Sequence, residues 1–195
     1  MDAKQFAVLF PKLYHLTFTS NLESIDRHGL RSSVDLADAL QFDPDEQDAA
    51  LGRRRLCIQQ IRGASLRDQH TAPESKMKSC LVKIAPAEWL GLLNAKIFFF
   101  LSEERALRLA GSYADYQNTI LETDTRALLA DHAADVTVCR INSGSFLFRA
   151  VPRGRDSFIP LANFVYESSR NIPAELTLPG PIPNILAISQ VRSVS

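Results

Sequence analysis

The chain has 195 residues, 46% of them hydrophobic, which suits one globular domain with a substantial core. Its 22 basic and 22 acidic residues balance, so the whole molecule has no long-range attraction to nucleic acid or to an anionic membrane, and binding of a polyanion would need a local patch. Three widely spaced cysteines argue against a disulfide framework. With no signal peptide and no apolar run approaching roughly 18 residues, we expect a cytoplasmic protein that does not span a membrane.

The first predicted elements are a strand over residues 13–17 and a helix directly after it. Ser20 and Glu23 have the spacing of a capping box, and Gly29 can end this helix in a left-handed conformation. A second helix is predicted near residues 34–41. The next segment, residues 42–78, is the least core-like, which predicts the most mobile part of the chain, a loop with a short strand near residues 56–61.

Regular structure returns after residue 78. The patterns predict strands at residues 80–84, 96–101, 118–122, 135–141, 174–178 and 185–191, and helices at 86–93, 102–111 and 125–130. Short strands interleaved with short helices are typical of an α+β fold. We therefore predict a single mixed domain over residues 1–195.

The strand and helix at the start carry the densest group of candidate binding residues. His15 and Thr17 share one face of the strand, and Asn21 lies at the beginning of the helix, where free backbone N–H groups favour anions. A lone histidine on a strand is most often structural. Together, however, these three side chains can hydrogen-bond a ribose and a carboxamide, so we interpret them as a nucleotide-binding cradle.

Two later features are candidate parts of the same site. Residues 98–100 are all phenylalanine, and alternation places Phe99 opposite its neighbours, so one side of the strand can stack on a flat heterocycle while the other fills the core. Glu175 is flanked by apolar residues near the start of a late strand, where it either ionises towards a cleft or lies exposed on the strand.

The arginines have two interpretations. Arg62, Arg67 and the run at residues 53–55 are candidate phosphate contacts or ordinary surface charges. Other chemistries find no support in the sequence. It contains neither a P-loop nor a dinucleotide fingerprint, and its histidines have no neighbouring ligands at metal-binding spacing, so we expect no metal site.

Taken together, these elements resemble the ADP-ribosyltransferase superfamily, and most closely the branch of the DarT-type DNA-modifying toxins. The stretch from Tyr14 through His15, Leu16 and Thr17 to Asn21 is similar to the first motif of that branch, whose histidine and threonine hold NAD. The aromatic strand is similar to the second motif, which implies that Phe99 or Phe100 packs on nicotinamide. Glu175 matches the catalytic glutamate. That branch also uses an arginine between the first two motifs, for which Arg62 is our candidate, with Arg67 and Arg31 as rivals.

The resemblance implies a split β-sheet core and an NAD-dependent ADP-ribosyltransferase, an enzyme of the glycosyltransferase class. Glu175 would stabilise the oxocarbenium character at the nicotinamide ribose and accept the proton of the nucleophile. Residues 42–78 would recognise the acceptor. We expect DNA or RNA as acceptor before protein or water, in a toxin or phage-defence effector that an antitoxin protein could neutralise. The alternatives are a non-catalytic binding module and an NAD glycohydrolase.

Overall fold

The computed structural model describes residues 1–52, 54–69, 73–146, 151–168 and 172–194. The described residues form nine strands: β1 (Lys12–Phe18), β2 (Gln59–Ile61), β3 (Ala64–Leu66), β4 (Ile97–Phe100), β5 (Asn118–Asp124), β6 (Thr137–Cys139), β7 (Ile159–Pro160), β8 (Glu175–Leu178) and β9 (Ser189–Val194). Seven of these strands form one sheet in the order β7-β6-β8-β4-β1-β5-β9, with every paired neighbour antiparallel. The other two, β2 and β3, form a separate hairpin.

Short helices connect the strands. The described residues contain α1 (Ala3–Leu9), α2 (Leu22–His28), α3 (Ser33–Ala39), α4 (Pro44–Gln47), α5 (Glu74–Cys80), α6 (Pro86–Asn94), α7 (Glu103–Gly111) and α8 (Thr125–His132). Local sequence explains several starts. Ser32 and Asp35 form a capping box that begins α3, and Pro86 occupies the first turn of α6. The mixed α+β fold in one domain is confirmed.

Helices cover both faces of the sheet, because the strands direct apolar side chains alternately to one face and to the other. One face, which we call the α8 face, packs Leu13, Phe99, Leu121 and Leu176 with residues of α1, α2 and α8. On the opposite α7 face, α7 covers the β1 and β5 side and α6 covers the β4 and β6 side. Residues directly opposite each other in an antiparallel ladder share a face, so the register assigns each candidate side chain to one of these two layers.

The first helix ends as predicted but does not begin as predicted. Gly29 ends α2 with a φ of 74°, and a Cβ there would lie 2.6 Å from the carbonyl oxygen of Ile182. Leu30 and Ile182 then exchange two backbone hydrogen bonds of 3.0 and 2.8 Å, which tie the end of α2 to the segment after β8. The predicted capping box at Ser20 is wrong, because a 3₁₀ turn at Thr19–Asn21 precedes α2 and the Ser20 hydroxyl bonds that of Ser65 instead.

Residues 42–78 contain more regular structure than the predicted loop. The predicted short strand is present as β2, and β3, α4 and most of α5 also fall in this segment. A small core of its own joins Phe42, Ala50, Ile61 and Leu66 to α3. This local core gives the hairpin a fixed base.

Two other predicted strands are corrected. Residue Cys80 ends α5, and Leu81 alone of the predicted 80–84 strand makes a bridge, to Arg153. Residues 185–188 form a 3₁₀ turn, so the last strand begins only at Ser189. None of the described helices has the length and apolar character needed to cross a membrane.

Candidate functional site

The centre of the sheet is joined loosely where β1 meets β4. β1 pairs with β5 along its whole length, from Lys12 to Phe18. Against β4, the described residues give it one paired position, Tyr14 with Phe100. Beyond that pair, the side chain of His15 bonds β4 in place of the backbone, since its Nδ1 lies 2.8 Å from the carbonyl oxygen of Phe98. We call this place the β1–β4 junction.

The hydrogen bond at the junction fixes the state of His15. A carbonyl oxygen only accepts, so Nδ1 carries the proton. Burial lowers the pKa of His15 to about 4, outweighing the opposing effect of the Phe98 carbonyl, and the nearby charge of Arg67 lowers it further. The imidazole is therefore neutral at pH 7, and its Nε2 is a hydrogen-bond acceptor.

Arg67 is the arginine that the fold brings close to His15. Its guanidinium lies over the rings of Phe18 and Tyr113, with its Cζ 4.9 and 4.7 Å from their centroids. Burial lowers the pKa of Arg67 and raises that of Tyr113, whose hydroxyl donates to Asp68. Within the part of the chain that the structure describes, the Arg67 Nε has no hydrogen-bond partner. This leaves a directional donor beside the junction.

Asn21 and Thr17 hold the hairpin in place. The Asn21 side chain accepts from the Ser65 N–H at 2.8 Å and donates to the Ser65 carbonyl at 3.0 Å, as a neighbouring strand would. The same amide nitrogen donates to the Thr17 hydroxyl at 3.2 Å. Leu16 is buried on the α7 face. The Asn21 amide is thus already engaged on both its oxygen and its nitrogen.

Glu175 lies on the other side of the sheet from His15. It pairs with Phe100 and with Cys139, and Phe100 pairs with Tyr14, so all four share the α7 face, whereas His15 follows Tyr14 and faces the α8 layer. Glu175 is 4% exposed, and its Oε2 accepts from the Ser143 N–H at 3.1 Å and the Ser143 hydroxyl at 2.8 Å. Burial raises its pKa to about 7, although both bonds from Ser143 oppose the shift.

The two stacking candidates are also separated by the sheet. Phe99 is fully buried, and its ring centroid lies 5.6 Å from that of His15 on the α8 face. Phe100 is half-buried and lies directly across from Glu175. Phe100 therefore has the ring surface that a ligand could reach, and Phe99 belongs to the core.

Arg62 lies away from both groups. It is exposed at the turn of the hairpin, where its Nε is 2.8 Å from a carboxylate oxygen of Glu46 and its Nη1 donates to the carbonyl of Leu40. The run at residues 53–55 is divided. Arg53 lies outside the described residues, and Arg55 is buried, donating to carbonyl oxygens of Ala50 and Arg67.

The sequence analysis missed the two residues that surround Glu175. The sequence places Ser143 in a turn and offers Arg153 as a candidate phosphate contact, and neither pattern connects these residues with Glu175. The signal lies in the topology, because the turn after β6 must lie beside the start of the strand that pairs with β6. That strand is β8, which begins at Glu175.

A shallow cleft of about 260 Å³ opens at the end of β1, next to the hairpin. Its lining is uncharged and rich in hydroxyl and amide groups, with two aromatic rings: Phe18, Thr19, Ser20, Gln60, Ser65, Tyr116 and Gln117. Because Phe18 is also one of the rings that stack on Arg67, the cleft adjoins the arginine.

Comparison with known proteins gives a family. Residues 11–189 match a family of unknown function, DUF7002, and so span strands β1 to β8 and the first residue of β9. The chain belongs to this family. No curated protein and no solved structure matches it.

Proposed function

We propose that this DUF7002 protein binds NAD at the β1–β4 junction and transfers ADP-ribose from it to a macromolecule. The observation that carries the proposal is the junction itself. At the centre of the seven-stranded sheet, β1 and β4 share one paired position, and beside it lies a neutral histidine whose Nε2 has no partner within the described part of the chain. The resemblance to ADP-ribosyltransferases implies a split sheet and a histidine that holds NAD, and the single paired position between β1 and β4 next to His15 supports that interpretation.

NAD would contact both sides of the junction. On one side, the Nε2 of neutral His15 can accept from a ribose hydroxyl, and the positive charge of Arg67 can attract a phosphate. Arg67 takes the role that we first gave to Arg62, because Arg67 is the one near His15. On the other side, the half-exposed ring of Phe100 can stack on nicotinamide beside Glu175.

The chemistry then depends on Glu175. Cleavage of the glycosidic bond releases neutral nicotinamide with the bonding electron pair and leaves positive charge on the ribose. An ionised Glu175 stabilises that charge, and the acceptor's O–H or N–H forms the new bond while its proton passes to the carboxylate. A carboxyl whose pKa is near 7 is suited to both steps at neutral pH.

A nucleic acid is the acceptor that the surroundings favour. The cleft at the end of β1 offers hydroxyl and amide groups and the half-exposed ring of Tyr116, which suit a neutral base. A protein or water remains as an alternative acceptor. A transferase acting on nucleic acid would be toxic when expressed, and an antitoxin protein is the partner that such a toxin would need.

One observation favours a second function, a nucleotide-binding module without turnover. Glu175 is held by two hydrogen bonds from Ser143 and faces away from His15. A carboxylate with this surrounding can be purely structural, in which case the junction would bind the nucleotide and release it unchanged.

The test combines binding with turnover. Purified protein is titrated with NAD by calorimetry and incubated with labelled NAD and DNA, RNA or lysate proteins, using wild type, Glu175→Gln and His15→Ala. Glu104→Gln is the matched control, since that acid is exposed on α7 and pairs only with Arg108 among the described residues. Label on a macromolecule with wild type and Glu104→Gln but not with Glu175→Gln supports the transferase. Binding without turnover supports the module, and absence of NAD binding contradicts both.

A further inference from the structure

A buried arginine braces the turn that holds Glu175. Arg153 is 3% exposed, and its Nη1 donates to the carbonyls of Asn142, Ser143 and Ser145 at 3.2, 3.0 and 2.8 Å. Its Nε donates to the carbonyl of Val151 at 3.1 Å. The Nη1 of this guanidinium therefore contacts three of the four residues of the turn at residues 142–145 while Nε bonds Val151, and holding both sets of bonds requires two nitrogens in one rigid group.

The backbone of Arg153 is itself fixed. Its N–H donates to the carbonyl of Cys80 at 2.8 Å, and its own carbonyl accepts from Val82 at 2.9 Å. The next residue, Gly154, approaches this bridge so closely that a Cβ would lie 2.6 Å from the carbonyl oxygen of Val82. The guanidinium is thus anchored to the end of α5 independently of the turn that it holds.

The result of this bracing is an asymmetric carboxyl group. Both donors of Ser143 point at the Oε2 of Glu175. Among the described residues, Oε1 has no hydrogen-bond partner. The charged and titratable groups around the carboxyl are Arg153, Arg105 on α7 and the thiol of Cys139 on β6. Neither arginine bonds Glu175 directly, so Arg153 reaches the carboxyl through the turn.

We propose that Arg153 is a positioning residue that orients Glu175 through the turn at residues 142–145, so that Ser143 occupies Oε2 and leaves Oε1 to exchange the proton. The consequence for turnover rests on the proposed function, whereas the orientation of the carboxyl does not. A role through charge alone is satisfied by a lysine at position 153. A role through geometry requires Nε and Nη1 to donate at the same time, to Val151 and to the turn, which the single nitrogen of a lysine cannot do.

The experiment titrates Glu175 in the free protein by ¹³C NMR of labelled glutamate carboxyls, with Glu175→Gln to assign the signal. Ser143→Ala removes one donor to the ionised form and is expected to raise the Glu175 pKa by about one pH unit or more. Arg153→Lys keeps the charge and is expected to raise it as well, because the turn loses its brace. Arg155→Lys is the control, since that arginine is exposed and pairs with Glu88.

The outcomes separate this inference from the proposed function. If Glu175 has the same pKa in Arg153→Lys, or in Ser143→Ala, as in the wild type, the positioning role is overturned. If Arg153→Lys does not fold, an unshifted titration in Ser143→Ala still overturns the role, because Arg153 is proposed to act through Ser143. Shifted titrations in a protein that never consumes NAD would support the positioning role while contradicting the transferase. In an active enzyme, Arg153→Lys should lower kcat and leave KM for NAD within about twofold.

Discussion

The surroundings of Glu175 and of His15 differ in what they leave unpaired. Around Glu175, the donors of Ser143 and Arg153 are directed inward to protein acceptors, and among the described residues only Oε1 of the carboxyl has no partner. Around His15, the Nε2 of the ring and the Nε of Arg67 face no partner among the described residues, and an open, uncharged cleft lies nearby. Polar atoms without a hydrogen-bond partner indicate where a ligand can bind. Polar atoms whose hydrogen bonds are all made within the protein indicate where a side chain is held in place.

Under the proposed function, one site would divide its tasks between two faces of a sheet. The His15 side has the chemistry of recognition, with a neutral acceptor and a stacked cation. The Glu175 side has the chemistry of proton transfer, with a carboxyl whose pKa burial raises to about 7. The β1–β4 junction is the place where a single dinucleotide could contact both.

The sharpest stability contrast is between Phe99 and Phe100. Phe99→Ala is expected to lower the free energy of unfolding by about 3–5 kcal/mol, because it empties a fully buried site. Phe100→Ala should cost about half as much, since its ring is partly exposed, but should weaken NAD binding more. Urea denaturation and calorimetry at a temperature where both variants are folded would measure this, and equal stability losses would show that the two rings do not differ as described.

The buried carboxyl of Glu175 predicts that the free energy of unfolding depends on pH. Because the Glu175 pKa rises from 4.5 to about 7 on folding, the native state holds the proton more tightly, and this contribution to stability is lost as pH rises from about 5 to 8. Relative to Glu175→Gln, wild type should lose up to about 3 kcal/mol over that range. Urea denaturation at each pH gives the difference. Glu104→Gln should follow wild type, and parallel curves for wild type and Glu175→Gln would contradict the raised pKa.

Asn21 tests whether the recognition side depends on the hairpin. Asn21→Ala removes both bonds to Ser65 and should cost about 1–3 kcal/mol, since it leaves the Ser65 N–H without its partner. Hydrogen exchange at the Ser65 amide should accelerate accordingly. Asn21→Asp keeps the acceptor and should have a smaller effect at that amide. Unchanged exchange in both variants would mean that the hairpin is held by its own core.

The smallest effect is expected at Arg62. Its ion pair with Glu46 is exposed at the surface, so Arg62→Ala should change the free energy of unfolding by less than about 1 kcal/mol. It should also leave NAD affinity unchanged, whereas Arg67→Ala should weaken it. Thermal denaturation and calorimetry on the two variants would decide between them. Loss of NAD binding in Arg62→Ala alone would restore our first assignment.

The elements that the sequence predicted correctly are those that depend on neighbouring residues. The apolar composition of residues 96–101 and 118–122 and the glycine at position 29 predicted two central strands and a helix end, because each follows from neighbouring residues alone. The Ser20 capping box failed because a distant residue, Ser65, competes for the same hydroxyl. Periodicity also could not predict that Glu175 and His15 face opposite layers, since this depends on the pairing of β1, β4 and β8.

The bridge between Leu30 and Ile182 sets an order of events during synthesis. The end of α2 closes on a segment that is translated about 150 residues later, and contacts so distant in sequence form late. A ribosome-bound chain lacking that segment would have the residues of the nucleotide cradle without the closure that holds them. The recognition side is therefore completed only after the segment around Ile182 has been translated, and products of this chain that stop before that segment should not bind NAD.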